Sequence, residues 1–475
     1  MTFAAIEPAR PRGAAAMRAA WRLFRDPVTG MRRNHAEHGP LIILSGLLPL
    51  SRRVKAAALG LPLIMAAGSE FNSEVLGDPA AWRPASIFPG GPRNSAARRL
   101  GAGLARMTGA RHAHYRRLML PPLRKASVEA LGERMAALAA EEVAAWPCGE
   151  TIDLWARVCR LMHTLAIGLT FGNDRARGYP IANMISQLLL LEWSPAVRTC
   201  PINLRGTPYA GYLKAAESLE RCILDWAAAK RGAVDATDLL SIMVNNPEED
   251  GKPVHDATIV GLTPQLFGAV FETCQNALIW TLLLLAQHPE AAHDLLDEIK
   301  TALADAPPTL QNVAELPWLD AVIKESMRIL PPVPVQARVA LKDTMLAGNA
   351  VPKQARVLLS AFVTNRSPER YPEPARFRPQ RWSALNPTAF EYLVFSAGPR
   401  NCPGYLLGMA MLKVVLTTIL RHYRVEFAPD TRVDYIAQPA FLPRGKVLAI
   451  LHRQDGAFSR PRIAGNVFEL LDTPH

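Results

Sequence analysis

The longest apolar stretch of the sequence runs over residues 258–286 and ends at His288-Pro289. Its length and apolar character predict a helix that is buried along most of its surface. Three polar residues within the stretch favour the core of a large protein over a membrane span. They are Glu272, Gln275 and Asn276.

Two shorter apolar segments, residues 41–50 and 61–67, predict paired and buried strands near the amino terminus. Residues 1–40 contain no apolar run of the ~18 residues that a membrane span requires, so we expect no membrane anchor there. The first 25 residues are rich in Arg and Ala and poor in acids, which faintly resembles an organellar transit peptide. We instead expect residues 1–30 to form a disordered or loosely packed arm.

The chain has 475 residues, which exceeds the usual size of one domain, yet no linker, charge block or internal repeat divides it. Its six cysteines lack the paired spacing of a zinc site. Such sparse cysteines suit a reducing compartment.

One cysteine lies in a loop that two glycines bracket, between Phe395 and Gly404. Cys402 offers a soft anionic thiolate, which as an iron ligand pushes electron density onto a haem and favours cleavage of the O–O bond. A helix that starts near Gly404 would favour the anion through its N-terminal dipole. A lone cysteine is more commonly a buried structural residue, but five fixed identities at fixed spacing seldom arise by chance. The segment therefore predicts a haem-thiolate site.

The other residues of this loop suit the same chemistry. Gly398 permits a tight turn whose backbone N–H groups point at the sulfur, and Gly404 lets the following helix approach the porphyrin closely. Arg400 can pair with a haem propionate, and Phe395 can cover the proximal face of the ring.

The segment resembles the haem-binding signature of the cytochrome P-450 family, Phe-x-x-Gly-x-Arg-x-Cys-x-Gly. The resemblance extends over residues 30–455 and implies a mainly α fold of the α+β type, with a large helical domain and a smaller β-rich lobe. We therefore expect one domain over residues 1–475, with an arm at 1–30 and a carboxy-terminal extension at 454–475 that either packs or stays loose. Haem b is the implied cofactor, and Cys402 is the implied metal ligand.

Glu272 and Thr273 place a carboxylate beside a hydroxyl in the long apolar helix, where a buried acid is costly unless it is satisfied. By resemblance they match the family's acid–alcohol pair above the haem, in which Glu272 feeds protons from solvent and Thr273 assists oxygen activation. A threonine that bonds back to its own helix is the alternative. Val270 stands where the family usually has a glycine that makes room for oxygen; Gly268 and Ala269 are the alternative sources of that room.

A second set of matches implies a structural role. Glu325 and Arg328 lie at i, i+3 and share one helix face. The segment from Phe377 to Trp382 resembles the family's Phe-x-Pro-x-Arg-Phe/Trp, in which Arg381 completes a buried Glu–Arg–Arg network beneath the haem loop. Removing one member of such a network leaves a buried charge unpaired.

Further basic residues match the family's propionate-binding positions. His112 and Arg116 lie at i, i+4, and Arg338 follows a proline-rich turn. Any one of them alone is more commonly a solvated surface residue, whereas three in register with the haem loop indicate a cofactor site. His112 is not expected to ligate iron, because Cys402 fills the proximal position and the distal position stays open to oxygen.

The formal net charge of +12 reflects either genomic base composition or an acidic partner, and no motif supports nucleic acid. In the family, the densest basic cluster lies near the proximal face, where acidic electron donors dock. We therefore expect an acidic ferredoxin or flavodoxin-type donor with its reductase. The cluster comprises Arg106, Arg111, Arg116, Arg117, Arg124 and Lys125.

The resemblance implies a soluble, cytoplasmic, monomeric monooxygenase of secondary metabolism, which uses O2 to hydroxylate or epoxidise a small hydrophobic substrate. Terpenoid, fatty acyl, steroid and aromatic substrates stay open. The alternatives are a peroxide-driven peroxygenase, which usually lacks the acid–alcohol pair, and an enzyme for carrier-protein-bound substrate. A non-catalytic haem sensor ranks last, because sensing needs no proton relay.

By family topology, substrate contacts come from residues 84–105, 183–212 and 439–442, and from apolar residues of the long helix and the proline-rich turn. These apolar residues suggest a narrow hydrophobic pocket, with core packing as the alternative. They are Ala269, Val270, Phe271, Val333 and Val335.

Overall fold

The computed structural model describes residues 6–45, 61–85, 91–172, 174–232, 238–248, 251–438 and 440–472. The helices within these residues are α1 (Gly13–Arg25), α2 (Pro27–His38), α3 (Ser69–Gly77), α4 (Ala96–Leu100), α5 (Gly109–Met119), α6 (Lys125–Ala144), α7 (Leu154–Phe171), α8 (Arg175–Trp193), α9 (Pro195–Thr199), α10 (Pro208–Lys230), α11 (Leu239–Asn245), α12 (Asp256–Gln287), α13 (Pro289–Leu303), α14 (Leu310–Val313), α15 (Pro317–Ile329), α16 (Ala361–Thr364) and α17 (Tyr405–His422). The strands are β1 (Leu41–Leu44), β2 (Leu63–Ala66), β3 (Trp82–Pro84), β4 (Thr151–Asp153), β5 (Val335–Ala340), β6 (Thr344–Leu346), β7 (Asn349–Val351), β8 (Arg356–Ser360), β9 (Tyr423–Phe427), β10 (Asp434–Gln438), β11 (Ala440–Arg444) and β12 (Leu448–Arg453).

Helix α12 is the central element of a mainly helical body, and it packs against α7, α15 and α17. It confirms the helix predicted over residues 258–286. The helix begins where the His255 side chain accepts a hydrogen bond from the Ala257 backbone N–H at 3.1 Å. It ends at His288, because the residue before a proline is disfavoured in helical conformation.

A five-stranded sheet forms most of the smaller lobe, with strand order β1-β2-β8-β5-β3. Strand β1 pairs antiparallel with β2, with Leu41 opposite Ala66, which confirms the predicted pairing for these residues. Strand β8 adds parallel to β2, and β5 then pairs antiparallel with β8. Residues 46–50, the remainder of the first predicted segment, lie outside the described residues. The predicted combination of a large helical domain and a smaller β-rich lobe is confirmed.

The loop that carries Cys402 lies between two hydrophobic cores. Leu393 and Ala397 belong to the core of the β-rich lobe. Phe395 packs against the core of the helical body, and Leu407 is part of it. The loop is therefore held from both sides.

The described residues near each end of the chain pack against the rest of the protein. Residues 13–25 of the expected arm form helix α1, whose Ala16 and Ala19 are buried, so the expectation of disorder is wrong for this segment. At the other end, Val467 and Leu470 are buried, and the Arg366 guanidinium donates to the Leu470 carbonyl at 3.2 Å. The carboxy-terminal extension therefore packs onto the body.

By length and composition, α12 and α17 could each cross a membrane. In each, 72% of the most apolar window is buried inside the protein. Both therefore serve as core helices here, as predicted for α12.

Candidate functional site

The Cys402 loop consists of two short 3-10 turns, Leu393–Phe395 and Gly398–Arg400, followed by helix α17. The Cys402 backbone N–H donates to the Phe395 carbonyl at 2.8 Å, which closes the loop. Gly398 has a φ of +70°, and a Cβ there would lie 2.2 Å from the Leu76 carbonyl oxygen of α3. Only glycine meets both requirements, so its predicted role in a tight turn agrees with the geometry. A Cβ at Gly404 would meet no protein atom within 4 Å, so protein packing does not explain that glycine.

The Cys402 thiol is largely surrounded by protein, and burial raises its pKa. The Gly404 backbone N–H and the Arg116 guanidinium act in the opposite direction and favour the thiolate. Among the described residues, no group of three or more His, Cys, Asp and Glu side chains could hold a metal ion.

Basic side chains from three elements lie near one another beside the Cys402 loop. Helix α5 contributes Arg116, which donates to the Asn401 side chain at 2.7 Å. Within the loop, Arg400 donates to the Met107 carbonyl at 2.7 Å. Strand β5 contributes Arg338, which is buried and whose pKa is lowered to about 10, first by burial and then by the charge of Arg400.

His112 also belongs to this group. Burial, together with the charges of Arg400 and Arg116, lowers the pKa of His112 to about 4, so the imidazole is neutral at pH 7. Of the predicted propionate-binding set, the structure thus brings together His112, Arg116, Arg338 and Arg400.

Within the described residues, no carboxylate pairs with the positive charge of this group. In the part of the chain that the structure describes, none of the three arginines forms a salt bridge, and the buried Nε of Arg400 has no hydrogen-bond partner. Arg338 is buried, and a buried guanidinium is costly unless a counter-charge accompanies it. A group that carries carboxylates and an iron atom within reach of the thiol would supply that charge. The residues present therefore fit an iron porphyrin.

Gln336, which the sequence analysis did not single out, joins this cluster to the Cys402 loop. Its side-chain oxygen accepts from the Ser396 hydroxyl at 2.9 Å and from the Arg338 guanidinium at 3.1 Å. Because Gln336 and Arg338 lie two residues apart on β5, both point to one face of the sheet. No residue pattern in the sequence marks this bridge.

One stripe of α12 is accessible within an otherwise buried helix. Ala269 is exposed, and Thr273, one turn further, is partly exposed. The Thr273 hydroxyl donates to the Ala269 carbonyl at 2.9 Å, so the back-bonding alternative occurs in this structure. The helix continues through Val270, and a Cβ at Gly268 would meet only Leu189 of α8, at 3.7 Å.

Glu272 precedes this hydroxyl, and burial raises its pKa to about 7. Glu192 on α8 is a buried carboxyl that lies near enough for the charge of Glu272 to raise its pKa. Burial is the larger cause, and the pKa of Glu192 is about 8. The Tyr212 hydroxyl donates to one Glu192 oxygen at 3.3 Å, and the other oxygen has no partner. The sequence analysis missed Glu192, because an acid in an amphipathic helix normally indicates a solvated face.

Of the predicted apolar pocket residues, three pack against a hydrophobic core and two are accessible. Phe271 is buried with its ring edge-on to His163, at a centroid distance of 4.6 Å, and Val270 packs against the helical core. Val335 packs in the β-rich lobe, against the cluster that contains Met65. Ala269 is accessible on α12, and Val333 is partly exposed. Residues 86–90 and Pro439, which belong to the predicted substrate segments, lie outside the described residues.

The Glu325 carboxylate is the centre of a buried network beneath the loop. Arg328 donates to both of its oxygens, at 2.9 and 3.0 Å, and Arg381 donates to one, at 3.0 Å. The Trp382 indole N–H and the Arg378 backbone N–H complete the carboxylate shell, at 3.0 and 2.9 Å. The structure thus brings together Glu325, Arg328 and Arg381 and adds Trp382 to them.

Comparison with known proteins now bears on this geometry. The family model "Cytochrome P450" matches residues 67–448. The chain belongs to the cytochrome P450 family. Members of this family bind haem through a cysteine thiolate and are oxidoreductases of the monooxygenase class.

Three curated P450 relatives differ in how much of them the chain covers. Pentalenene oxygenase of Streptomyces avermitilis is 26% identical, over 92% of this chain and 95% of that protein. Cytochrome P450 3A13 of Mus musculus is 33% identical over 41% of each chain. Cytochrome P450 4c3 of Drosophila melanogaster is 34% identical, over 34% of this chain and 31% of that protein. The matches to the two animal proteins thus span less than half of their lengths.

Two solved P450 structures show the same fold. The retinoic acid bound cyanobacterial CYP120A1 has a TM-score of 0.77 at 20% identity, over 95% of this chain and 100% of that chain. The cytochrome P450DA heme domain has a TM-score of 0.78 at 20% identity, over 96% of this chain and 100% of that chain. The implied P450 fold is therefore confirmed.

Replacing Glu325 with Ala tests the buried network of this P450. The change leaves Arg328 buried without its carboxylate, which we expect to destabilise the protein by about 3–5 kcal/mol. We expect Glu325→Ala to be recovered with little bound haem, measured as the ratio of Soret to protein absorbance. Glu373→Ala is the matched control, because Glu373 is an exposed carboxylate that pairs with Arg376 and Arg378 in the same region. Normal haem content in Glu325→Ala would contradict the assigned role.

Proposed function

We propose that this P450 is a haem-thiolate monooxygenase that binds haem b through Cys402 and receives electrons from a separate protein. The observation that carries the proposal is the group of Arg116, Arg338 and Arg400 beside the Cys402 loop, none of which forms a salt bridge within the described residues. Two propionates would pair with these arginines by charge-assisted hydrogen bonds. When bound, the haem supplies the activation of O2.

The protein's own contribution on the proximal side is to hold and tune the thiolate. The Gly404 N–H and the Arg116 charge offset part of the cost of burying the anion. The Phe395 ring packs edge-on against the Tyr405 ring, with centroids 4.8 Å apart, and this pair would cover the loop beside the thiolate.

On the distal side, Glu272 and Thr273 would deliver protons. A carboxyl whose pKa is about 7 exchanges a proton readily near neutral pH. The neighbouring Glu192, with a pKa of about 8, would extend this path from the protein interior. The acid–alcohol pair favours a monooxygenase over a peroxide-driven enzyme.

The donor would dock near the start of α17. Tyr405 and Leu406 follow the Cys402 loop directly and are 42% and 43% exposed. The hydrogen bond between Arg116 and Asn401 brings α5 beside this surface. Arg117, Arg124 and Lys125 are exposed nearby in the sequence. An apolar patch with basic neighbours suits an acidic ferredoxin or flavodoxin.

The substrate would be a small hydrophobic molecule, and we infer a terpenoid-like class from the nearly full-length similarity to pentalenene oxygenase. Oxidation of such a compound belongs to secondary metabolism. We also propose that the enzyme is a cytoplasmic monomer. The titration of ferric protein with terpenoid, fatty acyl, steroid and aromatic compounds tests the class, because displacement of water from iron shifts the spin state.

Two neighbouring free cysteines, Cys402 and Cys274, allow a direct test of which thiolate would bind iron. Cys274 on α12 is buried, and the charge of Cys402 contributes to the raised pKa of its thiol. We expect Cys402→Ser to lose the red-shifted Soret band of a thiolate-bound ferrous–CO complex. Cys274→Ser, the matched control, should retain that band. Retention of the red-shifted band in Cys402→Ser, or its loss in Cys274→Ser, would contradict the assignment of Cys402 as the ligand.

Thr273→Ala tests the distal hydroxyl. Without it we expect reductant consumption to continue while product formation falls about tenfold, because proton delivery loses its donor. The measured quantity is the ratio of product formed to reductant consumed. Thr273→Ser keeps the hydroxyl and should preserve most of the coupling. An unchanged ratio in the alanine variant would remove Thr273 from the relay.

Charge reversal tests the donor surface. We expect Arg117→Glu/Arg124→Glu/Lys125→Glu to slow reduction by an acidic [2Fe–2S] ferredoxin about tenfold or more at low salt. The difference should shrink as salt rises, since screening weakens the same contacts in the parent. Arg221→Glu/Lys300→Glu, which alters exposed basic residues of α10 and α13, is the control. Equal rates for both variants, or a parent rate independent of salt, would place docking elsewhere.

A further inference from the structure

Helix α1 is fixed to the body along one side. Ala16 and Ala19 are buried in a small core with Met31 of α2. The Asn34 side chain donates to the Ala19 carbonyl at 3.0 Å. A Cβ at Gly30 would lie 2.7 Å from the Arg22 backbone, so the two helices are in close contact. The opposite side of α1 is therefore a surface of defined shape.

That opposite side is strongly apolar and accessible. Met17, Trp21 and Phe24 are 65%, 57% and 71% exposed. The rings of Trp21 and Phe24 stack with centroids 5.8 Å apart, so they expose a joint aromatic surface. At about 100° per residue, the three side chains fall within about 60° of the helix circumference. Single exposed apolar residues are ordinary, but an aligned group indicates an interaction surface.

Positive charge accompanies this stripe. Arg18 and Arg25 are exposed on the adjoining side of α1, and Arg10 and Arg12 are exposed just before the helix. Arg22 is engaged by Glu37 of α2. Helix α1 itself contains no Asp or Glu. The accessible part of α1 is thus both apolar and cationic.

We propose that α1 is an interfacial helix that docks this P450 reversibly on an anionic lipid surface. Aromatic side chains on one face and arginines beside them are the features of helices that lie in the headgroup region of a bilayer. With 13 residues, α1 is about 20 Å long and cannot span a hydrocarbon core of ~30 Å, so it lies parallel to the surface. An apolar substrate would concentrate in the same membrane, although the inference does not depend on the substrate.

The charges favour lipid over a second copy of α1. A second copy of α1 would bring its own arginines against the first set without any acid on the helix to pair with them. Anionic headgroups, in contrast, attract each exposed arginine and leave the aromatic side chains to enter the apolar boundary.

The test is co-sedimentation of the holoenzyme with vesicles. We expect binding to phosphatidylglycerol/phosphatidylcholine vesicles that is at least about tenfold stronger than binding to pure phosphatidylcholine and that weakens with salt. Trp21→Ser/Phe24→Ser should weaken binding to both kinds of vesicle at least about tenfold. Arg18→Glu/Arg25→Glu should remove the preference for the anionic lipid.

Matched controls keep the result specific to α1. Met345→Ser/Leu448→Ser replaces exposed apolar residues of β6 and β12 and should bind as the parent does. Haem content and unfolding temperature verify that each variant is folded. If Trp21→Ser disturbs α1, Met17→Ser/Phe24→Ser removes the two more exposed side chains and carries the same expectation.

Three outcomes would overturn the proposal. The first is no binding of the parent to anionic vesicles. The second is unchanged binding by the α1 variants. The third is a dimer, observed by sedimentation velocity without lipid, that Trp21→Ser/Phe24→Ser dissociates, since a second copy would then occupy the face.

Discussion

The buried carboxylate of Glu325 is the constraint on which the rest of the site depends. Arg328, Arg381, Trp382 and the Arg378 backbone all donate to it, so one acid joins α15 to the segment that leads into the Cys402 loop. Asn365 continues the connection, since its carbonyl accepts from Arg328 and its side chain accepts from the Leu393 N–H at 2.8 Å. Every donor is satisfied by geometry that exists only in the folded chain. The position of the Cys402 loop therefore depends on packing and buried ion pairing outside the loop itself.

The two sides of the site carry ionisable groups of opposite charge. Arg116, Arg338 and Arg400 gather positive charge on the side of the thiol, and burial lowers their pKa values. Glu192 and Glu272 place two acids on the other side, where burial raises theirs. Buried polar groups without partners cost folding free energy unless a ligand satisfies them. This cost agrees with the proposed haem site and proton path, both of which would need such charges.

Much of this arrangement was predictable because it rests on local spacing. The Cys402 loop, the pairing of Glu325 with Arg328 and the helix over residues 258–286 each follow from residues close together in sequence. The roles of Glu192 and Gln336 could not be predicted from the sequence, because they arise only where α8 lies near α12 and where β5 contacts the Cys402 loop. Helix α1 was mistaken for a loose arm because its alanines are weakly apolar, although tight contact with α2 buries them.

Helix α1 also shows that an exposed apolar stripe and a buried one can have the same spacing in the sequence. Met17, Trp21 and Phe24 have the spacing of a core-facing helix, yet the structure buries Ala16 and Ala19 instead. Small residues allow α1 and α2 to approach closely, which directs the large side chains outward. A protein that only needed stability would gain by the reverse arrangement, since burying the aromatic side chains stabilises more than burying methyl groups. The outward orientation is therefore better explained by an external apolar partner than by folding.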